Sequence, residues 1–147
     1  KQCCKALAGV AFMYVECDSI PLKAGWLEAI SEAYAAQDKP FLWADRFNPP
    51  HDLIGGIGVF PANADELIPD GIIDDGFDGW MRINHPEWIG GTPLIRHSHS
   101  FHDTITGETV LHAFPRDLDI IGPDAMIFHK DATQSLIDCK RKGLLPW

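Results

Sequence analysis

The feature that most constrains this fold is an apolar run that ends in two acidic residues. Residues 12–15 (Phe-Met-Tyr-Val) form the run, and Glu16 and Asp18 follow it, before a proline at position 21. If residues 12–17 form a strand, the side chains of Glu16 and Asp18 point to the same face, because side chains alternate along a strand. Two carboxylates so placed repel each other, and a cation or hydrogen-bond donors stabilise them. The stretch therefore predicts a metal or nucleotide site, with a strand-end acid beside a helix-capping acid as the alternative.

The segments that follow predict alternating helices and strands. Residues 26–36 repeat apolar side chains at the spacing of an amphipathic helix, and residues 41–44 form a short apolar strand. A glycine-rich apolar segment then includes Gly55 and Gly56, where the missing Cβ permits an unusual φ or the close approach of a ligand. Strands that alternate with helices favour one α/β domain over residues 1–147.

Composition argues against two classes of partner. The chain is 46% hydrophobic and 22% charged, which is typical of globular proteins, and its formal net charge is −9. This charge disfavours a nucleic-acid backbone or an anionic membrane surface as the main partner. No apolar run approaches the roughly 20 residues that a membrane span needs. The four cysteines form no CxxC pair, so they predict reduced thiols in a cytoplasmic protein.

The strand end and the segments after it resemble the central part of GT-A-fold nucleotide-sugar glycosyltransferases. Those enzymes carry a DxD-like motif at a strand end, followed by a proline and by a Trp-Leu pair that opens a helix. Here Glu16 and Asp18 form the acidic motif, which begins with Glu instead of Asp, and Trp26 and Leu27 form the pair. Segment 55–59 (Gly-Gly-Ile-Gly-Val) resembles the family's glycine-rich strand beside the donor and acceptor sites. The resemblance implies a mixed, Rossmann-related sheet flanked by helices.

Two later motifs extend the resemblance. Asp75 and Asp78 belong to an acidic cluster at the place where inverting members carry their catalytic base. His129 and Lys130 resemble the late histidine motif that completes the family's metal site. The motifs occur in the family's order over residues 10–142. The nucleotide-binding half that precedes them in the family does not precede them here, so the resemblance implies an acceptor-side portion that is incomplete at its N-terminus.

The resemblance also implies what these residues do. A divalent metal, Mn²⁺ or Mg²⁺, offsets the charge that develops on the leaving diphosphate. Asp78 or Asp75 deprotonates a hydroxyl group of a glycan or another acceptor. The implied metal ligands are Asp18, Glu16 and His129. The implied contacts to the nucleotide-sugar donor are Glu16, Gly55, Gly56 and Lys130.

A cluster of three histidines supports a different enzyme. His97, His99 and His102 form the pattern HxHxxH, followed by Asp103. On a strand, His97 and His99 share a face and can bind Zn²⁺. The pattern resembles that of metallo-β-lactamase-type hydrolases, but Phe101 stands where that family carries a metal-binding aspartate. The first alternative function is therefore a zinc-dependent hydrolase that uses the three histidines.

Each of these residues also has a structural interpretation. The acidic run with Asp75 and Asp78 can be a solvated loop in which Asp78 is the N-cap of a helix over residues 79–83, and His129 can be a structural histidine at a strand end. The clustered histidines can hydrogen-bond to the backbone. Within the transferase hypothesis they line the acceptor pocket, or one of them replaces His129 as metal ligand. A third hypothesis, from a non-enzyme class, is a carbohydrate-binding remnant of the fold without turnover.

Overall fold

A computed structural model of the chain describes several separate segments of the sequence. They are residues 2–17, 19–44, 56–71, 76–97, 101–102, 109–110 and 123–129. Asp78, His97 and His102 are described by their backbone. The predicted site residues that lie outside the described segments are Asp18, Gly55, Asp75, His99 and Lys130.

The described segments contain short helices and strands that alternate along much of the chain. In chain order they are α1 (Gln2–Ala6), β1 (Phe12–Val15), β2 (Ile20–Pro21), α2 (Trp26–Ala35), β3 (Phe41–Ala44), β4 (Ile57–Phe60), α3 (Ala64–Leu67), α4 (Gly76–Asn84), a 3₁₀ helix (Pro86–Trp88), β5 (Ile89–Thr92), β6 (Ile95–His97), β7 (Phe101–His102), β8 (Thr109–Val110) and β9 (Ile127–His129).

The longer strands form two mixed sheets. The larger sheet has the order β1-β4-β3-β5, in which β4 is antiparallel to both β1 and β3, and β5 is parallel to β3. The smaller sheet has the order β2-β9-β6, in which β9 is antiparallel to β2 and parallel to β6. A separate two-stranded ladder joins β7 to β8. The prediction of a mixed α/β fold is thus confirmed.

The two central strands of the larger sheet, β3 and β4, are buried on both faces, since successive residues point to opposite sides and nearly all of them are buried. One face packs against α1, α3 and α4, and the other packs against α2 and the smaller sheet. The buried residues on the first side are Cys4, Phe41, Trp43, Phe60, Ala64, Ile68 and Met81. Those on the second side are Ile30, Leu42, Ile57, Val59, Ile95 and Ile127. The second cluster therefore holds the two sheets together.

Two local predictions need correction. The strand predicted for residues 12–17 ends at Val15. The backbone N–H of Ser19 donates to the carbonyl of Glu16 at 3.1 Å, so the chain turns at Glu16, and strand alternation does not govern the two acids of the motif. The N-cap interpretation of Asp78 is also wrong, because α4 begins at Gly76 and Asp78 lies within its first turn.

Tyr34 gives the fold a contribution that depends on pH. Its hydroxyl donates a hydrogen bond to the carbonyl of Pro40 at 3.0 Å, and burial raises the pKa of Tyr34. A phenol whose pKa is raised by folding stabilises the protein below its unfolded pKa of about 10. That contribution is lost as the pH rises through the folded pKa.

We expect Tyr34→Phe to lower the free energy of unfolding by about 1 kcal/mol at neutral pH, because one hydrogen bond is lost. The variant should also lose less stability than the wild type at alkaline pH, since it has no phenol to ionise. Urea denaturation at neutral and alkaline pH measures both effects. An alkaline decline as steep as that of the wild type would contradict the assignment.

Candidate functional site

A histidine and a carboxylate that are far apart in the sequence meet where the two sheets adjoin. Nε2 of His129 lies 2.7 Å from Oε2 of Glu16, across 113 positions of the chain. Glu16 directly follows β1, and His129 is the last residue of β9. The His129 side chain is 2% exposed, whereas that of Glu16 is 41% exposed. The pair therefore has one end inside the protein and one end open to solvent.

Gly56 allows the imidazole ring to approach the main chain. Gly56 has a φ of 72°, and its carbonyl accepts a hydrogen bond of 2.8 Å from the backbone N–H of Glu16. A Cβ at position 56 would overlap the ring of His129. The positive φ and the close ring both favour glycine here. We call Glu16, Gly56 and His129 the edge site.

We expect Gly56→Ala to destabilise the protein more than a comparable substitution without a neighbouring ring. Gly9 is the matched control, because it also has a positive φ, 84°, and a Cβ there would meet nothing within 4 Å. Gly9→Ala should cost about 1–2 kcal/mol for the backbone conformation alone. Gly56→Ala should cost about 1–3 kcal/mol more, since the buried imidazole must move.

Chemical denaturation of both variants measures this difference. Equal losses of stability in the two variants would show that the ring of His129 does not constrain position 56.

Ser19 lies in the turn that follows Glu16. Its hydroxyl oxygen is shielded from solvent and has no hydrogen-bond partner within the described residues. A buried hydroxyl of this kind usually has a partner. The sequence gives no signal for Ser19 except its place directly after the acidic motif. Its hydroxyl is a buried polar group in the turn that follows Glu16.

The carboxylate of Glu16 affects the pKa of a neighbouring tyrosine. Burial, and then the carboxylate of Glu16, raise the pKa of Tyr14, which lies two residues earlier in β1. The negative charge of Glu16 therefore acts on this end of the strand, and a cation at the edge site would offset it.

The strand register brings the backbone of His97 next to that of His129. The two residues are Cα partners in the parallel pair of β6 and β9, and adjacent strands lie about 4.8 Å apart. His102 ends β7, which belongs to a different sheet. The described backbone thus divides the histidine cluster between two sheets, and it brings His97 to the strand end that carries His129.

Asp78 lies on a helix that covers the first face of the larger sheet. The ring of the preceding residue, Phe77, stacks on Phe60 at 5.3 Å and packs against Trp43 at 6.0 Å. These contacts hold the first turn of α4 against the sheet. The helix of the predicted catalytic base therefore packs on the face of the larger sheet opposite the smaller sheet, which carries His129.

The edge site contributes two donor atoms that suit a metal ion. Glu16 supplies a carboxylate oxygen and His129 an imidazole nitrogen, and both are ligands of zinc and other divalent transition metals. Among the side chains that the structure describes, which do not include that of His97, no group of three or more His, Cys, Asp or Glu residues could hold a metal ion. Asp18, the third predicted ligand, lies outside the described segments. Two of the three predicted ligands are thus adjacent.

Comparison with protein-family models, with curated proteins and with solved structures finds no match to this chain. Within the described segments, no helix is long and apolar enough to cross a membrane. The geometry of the edge site and the order of the sequence motifs are therefore the observations that bear on function.

We expect Glu16→Ala to lower the free energy of unfolding by about 1–3 kcal/mol, because a buried imidazole loses a charged hydrogen-bond partner. Glu16→Gln retains an amide that can hydrogen-bond to the ring, so it should lose less. Glu32→Ala is the control, since this exposed glutamate lies on α2 and its loss should change stability by no more than about 0.5 kcal/mol. Urea denaturation at neutral pH compares the three variants.

If Glu16→Ala proves as mild as Glu32→Ala, the contact between Glu16 and His129 contributes nothing to the fold.

Proposed function

We propose that this chain is the acceptor-side part of a GT-A-like, metal-dependent nucleotide-sugar glycosyltransferase. The observation that carries the proposal is the convergence of Glu16, Gly56 and His129. These residues come from three separate motifs whose order resembles that family. A chance resemblance of three short motifs gives no reason for their residues to meet at one place.

The donor atoms of the edge site support a metal as the link to an anionic substrate. The chain carries a net charge of −9, so a diphosphate needs a cation between itself and the carboxylates. Glu16 and His129 would hold the metal with Asp18, and Glu16 could also contact a ligand water or the ribose. The imidazole nitrogen favours Mn²⁺ over Mg²⁺, which takes oxygen ligands. When bound, the metal would offset charge on the leaving diphosphate.

The remaining roles belong to residues around the edge site. Gly55 and Gly56 would contact the donor sugar through their backbone, and at Gly56 the ring of His129 occupies the space that a side chain would take. Lys130 directly follows His129 and would contact a phosphate oxygen. Asp78 or Asp75 would remove the proton of the acceptor hydroxyl as general base.

The state of the cysteines supports a reducing compartment. Cys3, Cys4 and Cys17 are free thiols, and Cys3 and Cys17 are exposed. Exposed thiols persist where glutathione and thioredoxin keep them reduced. We therefore place the proposed transferase in the cytoplasm, with a nucleotide-sugar donor and a glycan or other hydroxyl acceptor as its partners.

The proposal predicts that binding of UDP or GDP requires Mn²⁺. Calorimetric titration of each nucleotide with and without Mn²⁺ should show heat of binding only when the metal is present. Asp18→Ala should abolish that heat, because it removes a carboxylate ligand. Asp38→Ala is the control, since this exposed aspartate lies in the bend before β3, and its titration should match the wild type.

A flat titration of the wild-type protein with every nucleotide would exclude an active transferase in this chain. It would favour the carbohydrate-binding remnant. Nucleotide binding that does not depend on Mn²⁺ would exclude the metal site as its basis. Bound zinc that is lost from His97→Ala, His99→Ala and His102→Ala alike would instead favour the hydrolase.

A further inference from the structure

We propose that His97 is a second histidine ligand of the edge site, so that Glu16, His97 and His129 bind one transition-metal ion. In the sequence, His97 and His129 belong to competing hypotheses, one for a zinc hydrolase and one for a transferase. The strand register joins them instead. This inference rests on the metal site of the proposed function, in which Asp18 is a further carboxylate ligand, but it does not depend on the nucleotide.

The register of the smaller sheet is the first observation. β6 and β9 run in the same direction, and the pairs Ile95 with Ile127 and His97 with His129 are in register. The first pair is fully buried in the cluster between the two sheets. Two residues further along, His97 and His129 are paired in the same register. The backbone therefore places two histidines at adjacent strand ends.

The position of β9 is the second observation. β9 is the middle strand of its sheet, between β2 and β6. On one side, the turn from Glu16 to Ser19 leads into β2, and on the other side β6 ends at His97. Ligands of mixed α/β sheets often bind beyond the carboxyl ends of parallel strands. His97 and His129 end the two parallel strands of this sheet at that edge.

The burial at this edge is the third observation. The imidazole of His129 is almost fully buried and contacts a carboxylate that is partly open to solvent. The shielded hydroxyl of Ser19 lies in the turn that follows that carboxylate. Buried polar groups of this kind are usually satisfied by partners or by an ion. A metal ion between the strand ends would use the carboxylate and the ring together.

Two imidazoles together with carboxylate oxygen decide which class of metal the site prefers. This donor set occurs in catalytic zinc sites, where a water or substrate takes the open position, and in iron sites with two histidines and a carboxylate. Mg²⁺ prefers oxygen ligands in octahedral geometry. The edge site should therefore select a first-row transition metal such as Zn²⁺, Mn²⁺ or Co²⁺ and should reject Mg²⁺.

The test measures metal affinity without any nucleotide. Zn²⁺ binding is followed by competition with a chromophoric chelator, and Co²⁺ binding by its visible absorption, which reports nitrogen ligands. We expect His97→Ala and His129→Ala each to weaken Zn²⁺ binding at least tenfold, because each loses a ligand. His85→Ala and His102→Ala are the controls and should bind as the wild type does. A large excess of Mg²⁺ should leave the Co²⁺ spectrum unchanged.

Three results would overturn the inference. One is a His97→Ala protein that binds Zn²⁺ like the wild type while His129→Ala does not. Another is a loss in His97→Ala and His102→Ala with none in His129→Ala, which would assign the metal to the local histidine cluster. The third is a wild-type protein that binds no transition metal.

Separate controls test whether each variant is folded and whether the nucleotide binds. Circular dichroism of each variant shows whether it is folded, and His97→Gln replaces His97→Ala if the alanine variant is not. If the metal binds through both histidines but UDP and GDP do not bind, the transferase proposal fails and the two-histidine site stands. If the nucleotides bind with Mn²⁺ and His97→Ala has no effect on metal binding, the two-histidine site fails and the transferase proposal stands.

Discussion

The close approach of the His129 ring to the backbone of Gly56 is the contact on which this end of the structure depends. Gly56 directly precedes β4 of the larger sheet, and His129 lies at the end of β9 in the smaller sheet. A side chain at position 56 would push the ring away from Glu16. One missing Cβ therefore lets the two sheets adjoin and lets a buried histidine meet a partly exposed carboxylate.

The same contact shapes what the site can bind. A buried histidine beside a half-open carboxylate provides one nitrogen and one oxygen donor, fixed by packing on one side and accessible on the other. The apolar cluster between the sheets holds the strands that carry them, with Ile95 and Ile127 fully buried. Rigid strands position donor atoms more accurately than loops do, and a metal site requires such accuracy. The geometry thus suits an ion that mediates between an acidic protein and an anionic or hydroxyl-bearing substrate.

Local patterns predicted those elements whose residues depend mainly on their near neighbours. The helix at residues 26–36 and the strand at 41–44 match α2 and β3 closely, because amphipathic spacing and a continuous apolar run are strong local signals. The strand predicted for residues 12–17 is longer than β1, since a hydrogen bond from the backbone N–H of Ser19 to the carbonyl of Glu16 turns the chain at Glu16. Glu16 and His129 were selected by motif, but a motif carries no information about distance.

The sequence by itself determined the α/β class, the candidate donor residues and the glycine that permits a close contact, because residue type and periodicity express these directly. Only the tertiary structure decided that Glu16 meets His129 and that His97 and His129 are partners in one strand pair. Strand pairing and register arise from contacts between segments far apart in the chain. In the sequence, the motifs of His97 and His129 are therefore alternative metal sites, whereas the fold brings their backbones to adjacent strand ends.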